Sequence, residues 1–108
     1  MDCGNDYIKM CEKAEEIQGI WNHEQHFLDR PHSYIVDNGR SGWTWLPRQD
    51  QLQEMVGSDW RYIFSKFMWW YTDVDIRQLE IIGSMEQLWL AFVMKEKFNK
   101  IWDGNKWE

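Results

Sequence analysis

Residues 23–26 read His-Glu-Gln-His, and a third histidine, His32, follows six positions later. Imidazole nitrogens are good zinc ligands. Zinc proteases place two histidines four apart on one helix turn, with a glutamate between them as base. Here the spacing is three, Gly19 and Asn22 stand just before the pair, and Asp29 is an acid close by. A polar loop that holds His23, His26 and His32 is the preferred reading, and no metal site is assigned.

Other chemistries leave weaker traces. Serine, histidine and acids are all present, but no G-x-S-x-G elbow exposes a serine nucleophile. Gly57-Ser58 and Gly83-Ser84 read better as helix stop followed by helix cap. Asp73 and Asp75 would flank one another across a strand or a loose turn, with no apolar pocket signal to make them an acid/base pair. The Asp103-Gly104-Asn105 triplet lacks the ligand ladder of a calcium loop. No glycine-rich phosphate loop exists. The expectation is a protein that is not an enzyme, with no catalytic residues and no cofactor.

One constellation suits nucleic acid. Residues 49–70 read as a short helix, a glycine turn and a second helix, similar in spacing to a helix-turn-helix. Arg61 and Lys66 would be the DNA contacts. Two cations are few for phosphate binding, and the formal net charge of −6 opposes the positive field that counterion displacement needs. DNA binding is therefore the alternative reading, not the preferred one.

The elements that position these groups fit one domain spanning residues 1–108, near the commonest domain size. Nine tryptophans, four tyrosines and five phenylalanines make disorder untenable. No apolar run reaches membrane-span length, and the N-terminal residues lack the pattern of a secretory signal, so a cytoplasmic location is expected. Tyr7, Met10, Cys11, Ala14, Ile17 and Trp21 recur at helical spacing and predict a first helix of about four turns, capped by Asn5 or Asp6. A helix there keeps Cys3 and Cys11 too far apart for a disulfide and makes Cys11 a small core residue.

Residues 33–45 predict a β-hairpin. Asn38-Gly39 is the preferred pair for a two-residue turn, which sets Asp37 opposite Arg40, Val36 opposite Ser41 and Tyr34 opposite Trp43. Tyr34, Val36, Trp43 and Trp45 would then share the core face. Pro47 suits the first turn of a short helix carrying Leu52, Met55 and Val56 inward. A further short helix is expected from about Asp75. Ser84 and Gln87 form a capping box for a helix running through Trp102, apolar on both sides and hence central. Asp103-Gly104 stops it, and Trp107 folds back.

The consecutive aromatics Trp69, Trp70 and Tyr71 fall on a helix from Trp60 to Tyr71. At about 100° per residue, Trp60, Ile63, Phe64, Phe67 and Tyr71 gather on the face expected inward. Tyr62, Lys66 and Trp69 lie on the reverse side. These three form the candidate partner surface, with tryptophan and tyrosine supplying rigid area and a cation beside them.

Three stretches carry a resemblance: "CEKAEEIQ" from Cys11, "WLPRQDQLQEM" from Trp45, and "SMEQLWLAFVMKEKFNKIWDGNKW" from Ser84. They resemble small uncharacterised proteins encoded by bacteriophages and prophages of Gram-positive bacteria. The resemblance covers about half the chain and implies a bacterial cytoplasm and a shared fold, but no activity and no site residues. The fold class expected is α+β, mostly α-helical, with four or five packed helices and one β-hairpin at about residues 33–45. The expected role is a phage-type accessory protein that binds another protein or itself, as in a homodimer. Nucleic acid is a disfavoured partner, and no membrane partner is expected.

Overall fold

The structure is a computed structural model and describes residues 2–24, 34–37 and 43–108. It is α+β and mostly helical. Six helical segments and one two-stranded antiparallel sheet occur in the described residues: α1 (Asn5–Lys13), α2 (Glu15–Glu24), β1 (Tyr34–Asp37), β2 (Trp43–Leu46), α3 (Gln49–Val56), α4 (Trp60–Asp73), α5 (Ile76–Glu80) and α6 (Met85–Phe98).

The expected first helix is two. Ala14 leaves helical geometry (φ −85°, ψ 75°) and breaks the run between α1 and α2. The Cys11 carbonyl accepts from the Ala14 N–H at 3.1 Å and also from the Gln18 side chain at 3.1 Å, so a side chain adds to the backbone bond at the break. Tyr7, Met10, Cys11, Ala14 and Ile17 are all buried, as their spacing predicts. Cys3 is exposed, Cys11 is buried, and no disulfide joins them. The helix also continues to Glu24, into the stretch expected to be loop.

The hairpin exists, but its register differs from the expected one. Tyr34 stands opposite Leu46, Ile35 opposite Trp45, Val36 opposite Thr44 and Asp37 opposite Trp43. Residues 38–42, with the Asn38-Gly39 pair expected to make the turn, lie outside the described residues. An odd offset of three turns Trp45 to share a face with Ile35 instead of Val36. Tertiary burial outweighs the local turn preference. Thr44, Trp45 and Leu46 are all inaccessible, and the buried Tyr7 hydroxyl donates to the Pro47 carbonyl at 2.5 Å. Pro47 itself precedes the cap residue Arg48 and does not occupy the first turn of α3.

α6 is the central element, with Trp89 through Met94 buried without interruption. α3 packs most closely on it, bringing Leu52 into the core. α4 meets α6 through rings: Phe67 stacks on Trp89 at 4.1 Å and meets Phe92 edge-on at 5.4 Å, while Trp70 lies 5.4 Å from Phe92. Ser84 caps α6 by accepting from the Gln87 N–H, while the Gln87 side chain accepts from the Gly83 N–H and not from that of Ser84. α6 ends earlier than expected, at Phe98. Asn99 adopts the left-handed conformation (φ 55°), and its N–H and that of Lys100 return to Lys95 and Met94. The remaining residues form a small hairpin in which Trp102 pairs with Trp107, and the buried Trp107 indole donates to the Met10 carbonyl at 2.9 Å.

Candidate functional site

α4 does not bury the face that its apolar pattern suggests. Phe67 alone on this helix is buried, with Ile63 and Trp70 partly buried beside it. Trp60 is 69% exposed and Phe64 57%, and Met68 and Tyr71 are also exposed. The inward face is therefore centred on Ile63, Phe67 and Trp70. The expected core stripe has rotated so that Trp60, Phe64 and Tyr71 face out. Bulky aromatics surround this helix, so periodicity leaves the inward direction undecided. The stack of Phe67 on Trp89 decides it.

The opposite flank of α4 forms one wall of a groove of about 980 Å³. Tyr62, Lys66, Trp69 and Asp73 of α4 line it. Arg77 and Ile81, from α5 and its end, form a second side. Lys95 and Glu96 of α6 stand at one edge, and Ile101, Trp102 and Asp103 of the C-terminal hairpin at another. The Asp59 carboxylate accepts from the Arg61 N–H to start α4, and Asp75 accepts from the Arg77 N–H to start α5. Those two caps fix the directions of the helices that frame the groove.

All three residues of the candidate partner surface are lining residues. Trp69 is 80% exposed, the largest exposure of any big apolar residue described. The Lys66 ammonium lies 5.7 Å from the Tyr62 ring centre and 3.7 Å from a Glu96 carboxylate oxygen. One aromatic ring and one carboxylate therefore hold a single cation at the groove edge. Asp103 accepts from the N–H groups of Asn105 and Lys106, and these bonds hold its carboxyl below the ordinary aspartate value.

Sequence reasoning missed Trp70, Ile81, Ile101 and Trp102 as parts of this site. They come from elements far apart in sequence, and no local pattern links them. Asp73 and Asp75 are not an acid/base pair: Asp73 ends α4, and Asp75 caps α5, the short helix expected to start near it.

For the DNA alternative, Arg61 and Lys66 are five residues apart on α4 and so diverge by roughly 140° around the helix. Arg61 lies over the Trp60 ring at 5.5 Å and Lys66 pairs with Glu96, so the two make no shared cationic face. α3 packs most closely on α6, unlike the first helix of a helix-turn-helix, which supports its partner helix. Of the histidine cluster, His23 falls in the last turn of α2, and His26, His32 and the neighbouring Asp29 lie outside the described residues. Among the described residues, no group of three or more His, Cys, Asp or Glu is placed to hold a metal ion. No helix of the described residues is long and apolar enough to cross a membrane.

Compared with protein-family models, curated proteins and solved structures, the chain matches none.

Proposed function

We propose that this chain is a non-catalytic protein-interaction module that receives its partner in the groove beside α4. One observation carries the reading: Trp69, 80% exposed, stands at a groove that Tyr62 and Lys66 also line. An indole left in water forgoes the burial that usually stabilises a fold, and aromatic rings around a concavity are the residue types that dominate binding energy. The resemblance to small phage and prophage proteins supports an accessory role in a bacterial cytoplasm, with another protein or a second copy of the chain as partner.

The test is a selection of random displayed peptides on the native chain, repeated on Trp69→Ala and on Trp60→Ala. The reading predicts ligands that the native chain and Trp60→Ala retain and that Trp69→Ala loses while remaining folded. Ligands kept equally by Trp69→Ala would move the interaction elsewhere and overturn it.

A further inference from the structure

The groove already shows how it handles a positive charge. Lys66 sits over the Tyr62 ring one helical turn before it and pairs with Glu96 across the gap. Two turns further along, α4 repeats half of that arrangement. Trp69 and Asp73 are also four residues apart, so their side chains are neighbours on the helix surface. Both line the groove and both are exposed. Among the described residues, the Asp73 carboxylate takes part in no hydrogen bond or ion pair, and no cation lies over the Trp69 ring.

The charges facing the groove tilt the same way. Four carboxylates line it, from Asp73, Asp75, Glu96 and Asp103, against the cations of Lys66, Arg77 and Lys95. The Lys66–Glu96 pair takes up one charge of each sign, which leaves three carboxylates against Arg77 and Lys95, a surplus of one negative charge. The whole chain adds a net charge of −6. A mobile cation is drawn toward such a surface, and an indole face next to a carboxylate offers it both cation–π and Coulomb attraction.

Resting on the interaction reading above, we infer that the groove binds a cationic peptide segment, with an arginine or lysine side chain of the partner seated on the Trp69 ring against the Asp73 carboxylate. The occupant mimics, two turns further along α4, what Lys66 does over Tyr62.

The experiment uses the full chain with 15N-labelled tryptophan. It is titrated with four blocked tripeptides that differ only in the central residue: Gly-Arg-Gly, Gly-Lys-Gly, Gly-Leu-Gly and Gly-Glu-Gly. The Trp69 indole N–H resonance is assigned by its loss in Trp69→Ala. The arginine and lysine peptides should shift that resonance saturably and the leucine and glutamate peptides should not. Asp73→Asn should weaken binding of the arginine peptide by about 1.5- to fivefold, the scale of one exposed ion pair, because the Trp69 ring remains. Glu80→Gln removes the same unit of charge outside the groove and should leave binding unchanged. Equal effects of Asp73→Asn and Glu80→Gln would reduce the attraction to net charge and overturn the assignment. Preference for the leucine or glutamate peptide would overturn the cationic occupant while leaving an interaction groove in place. No response to any of the four, together with no ligand from the peptide selection, would remove both readings.

Discussion

The Gln18 side-chain amide and the Trp45 backbone exchange two hydrogen bonds: Gln18 accepts from the Trp45 N–H at 2.8 Å and donates to its carbonyl at 2.9 Å. In an antiparallel ladder alternate residues turn both backbone groups away from the partner strand. At Trp45 the outward pair meets a helix side chain shaped like another peptide group. The same amide nitrogen reaches the Cys11 carbonyl at the break between α1 and α2. One glutamine therefore joins the helical break to the strand and helps to set where β2 lies. Gln18→Ala should destabilise the chain by about 1–3 kcal/mol, because it leaves the Trp45 N–H and carbonyl without this partner in a partly buried place. Gln18→Glu should do no better, since it keeps an acceptor but removes the donor. Urea denaturation midpoints of the two variants check this, and a native-like midpoint for Gln18→Ala would show that water replaces the amide.

The same residues explain what sequence alone leaves open. Helix caps are local, so Ser84 was legible as a cap and the start of α5 near Asp75 was legible, while at the start of α4 the sequence offers Ser58 or Asp59 and the structure uses Asp59. The hairpin was legible as a hairpin, but its register was not, because Gln18, Tyr7 and the buried surroundings of Trp45 act on β2 from outside the turn. Tyr62, Lys66 and Trp69, the candidate partner surface, were legible as one helix face, and all three line the groove. The groove was not, since its other walls are Ile81, Ile101 and Trp102, which only tertiary folding brings there. The inward side of α4 was misread because its aromatics occupy most directions around the axis, and only the Phe67–Trp89 stack selects among them.

That stack separates two neighbouring positions energetically. Phe67 is 8% exposed and touches the rings of Trp70, Trp89 and Phe92, while Trp69, two residues on, is 80% exposed. Phe67→Ala should cost about 3–5 kcal/mol of stability, the usual scale for emptying a packed aromatic site. Trp69→Ala should cost less than about 1 kcal/mol, as surface substitutions do. Chemical denaturation followed by far-UV circular dichroism compares them directly. A loss at Trp69 as large as that at Phe67 would mean the indole is covered in solution.

Asn99 ends α6 in the left-handed region, at φ 55°. A side chain with a Cβ pays steric strain there, which glycine escapes and asparagine tolerates. Its side-chain oxygen also accepts from Lys95 at 2.7 Å, but that contact is exposed and contributes little. Asn99→Ala should therefore destabilise by about 1 kcal/mol, while Asn99→Gly should be close to neutral. Thermal melts rank the two, and alanine as stable as glycine would show that the helix end relaxes to another geometry.

Asp2 ties the start of the chain to the start of α6. Its carboxylate accepts from the Ser84 hydroxyl at 2.5 Å, the Gln87 amide at 2.9 Å and the Gly4 N–H at 2.8 Å. Partial burial pushes its titration upward, but the bonds from Ser84, Gly4 and Gln87 together outweigh that and leave it below the ordinary aspartate value. A carboxyl with a lowered folded-state value stabilises the fold fully above its unfolded value, about 4, and loses that contribution as pH falls through the folded value. Stability should thus decline on acidification from about pH 5 toward pH 3. Asp2→Asn keeps the shape and removes the charge, so it should lower stability at neutral pH by about 1 kcal/mol and flatten the acid decline. Glu16, paired with Lys100, Asp50, bonded to Arg48, and Asp103, bonded to the Asn105 and Lys106 N–H groups, are shifted in the same direction and should leave a residual slope in the variant. Denaturation midpoints at half-unit steps of pH separate the two contributions. An acid slope as steep in Asp2→Asn as in the native chain would assign the whole effect to Glu16, Asp50 and Asp103, and would show that the Asp2 bonds to α6 do not hold in solution.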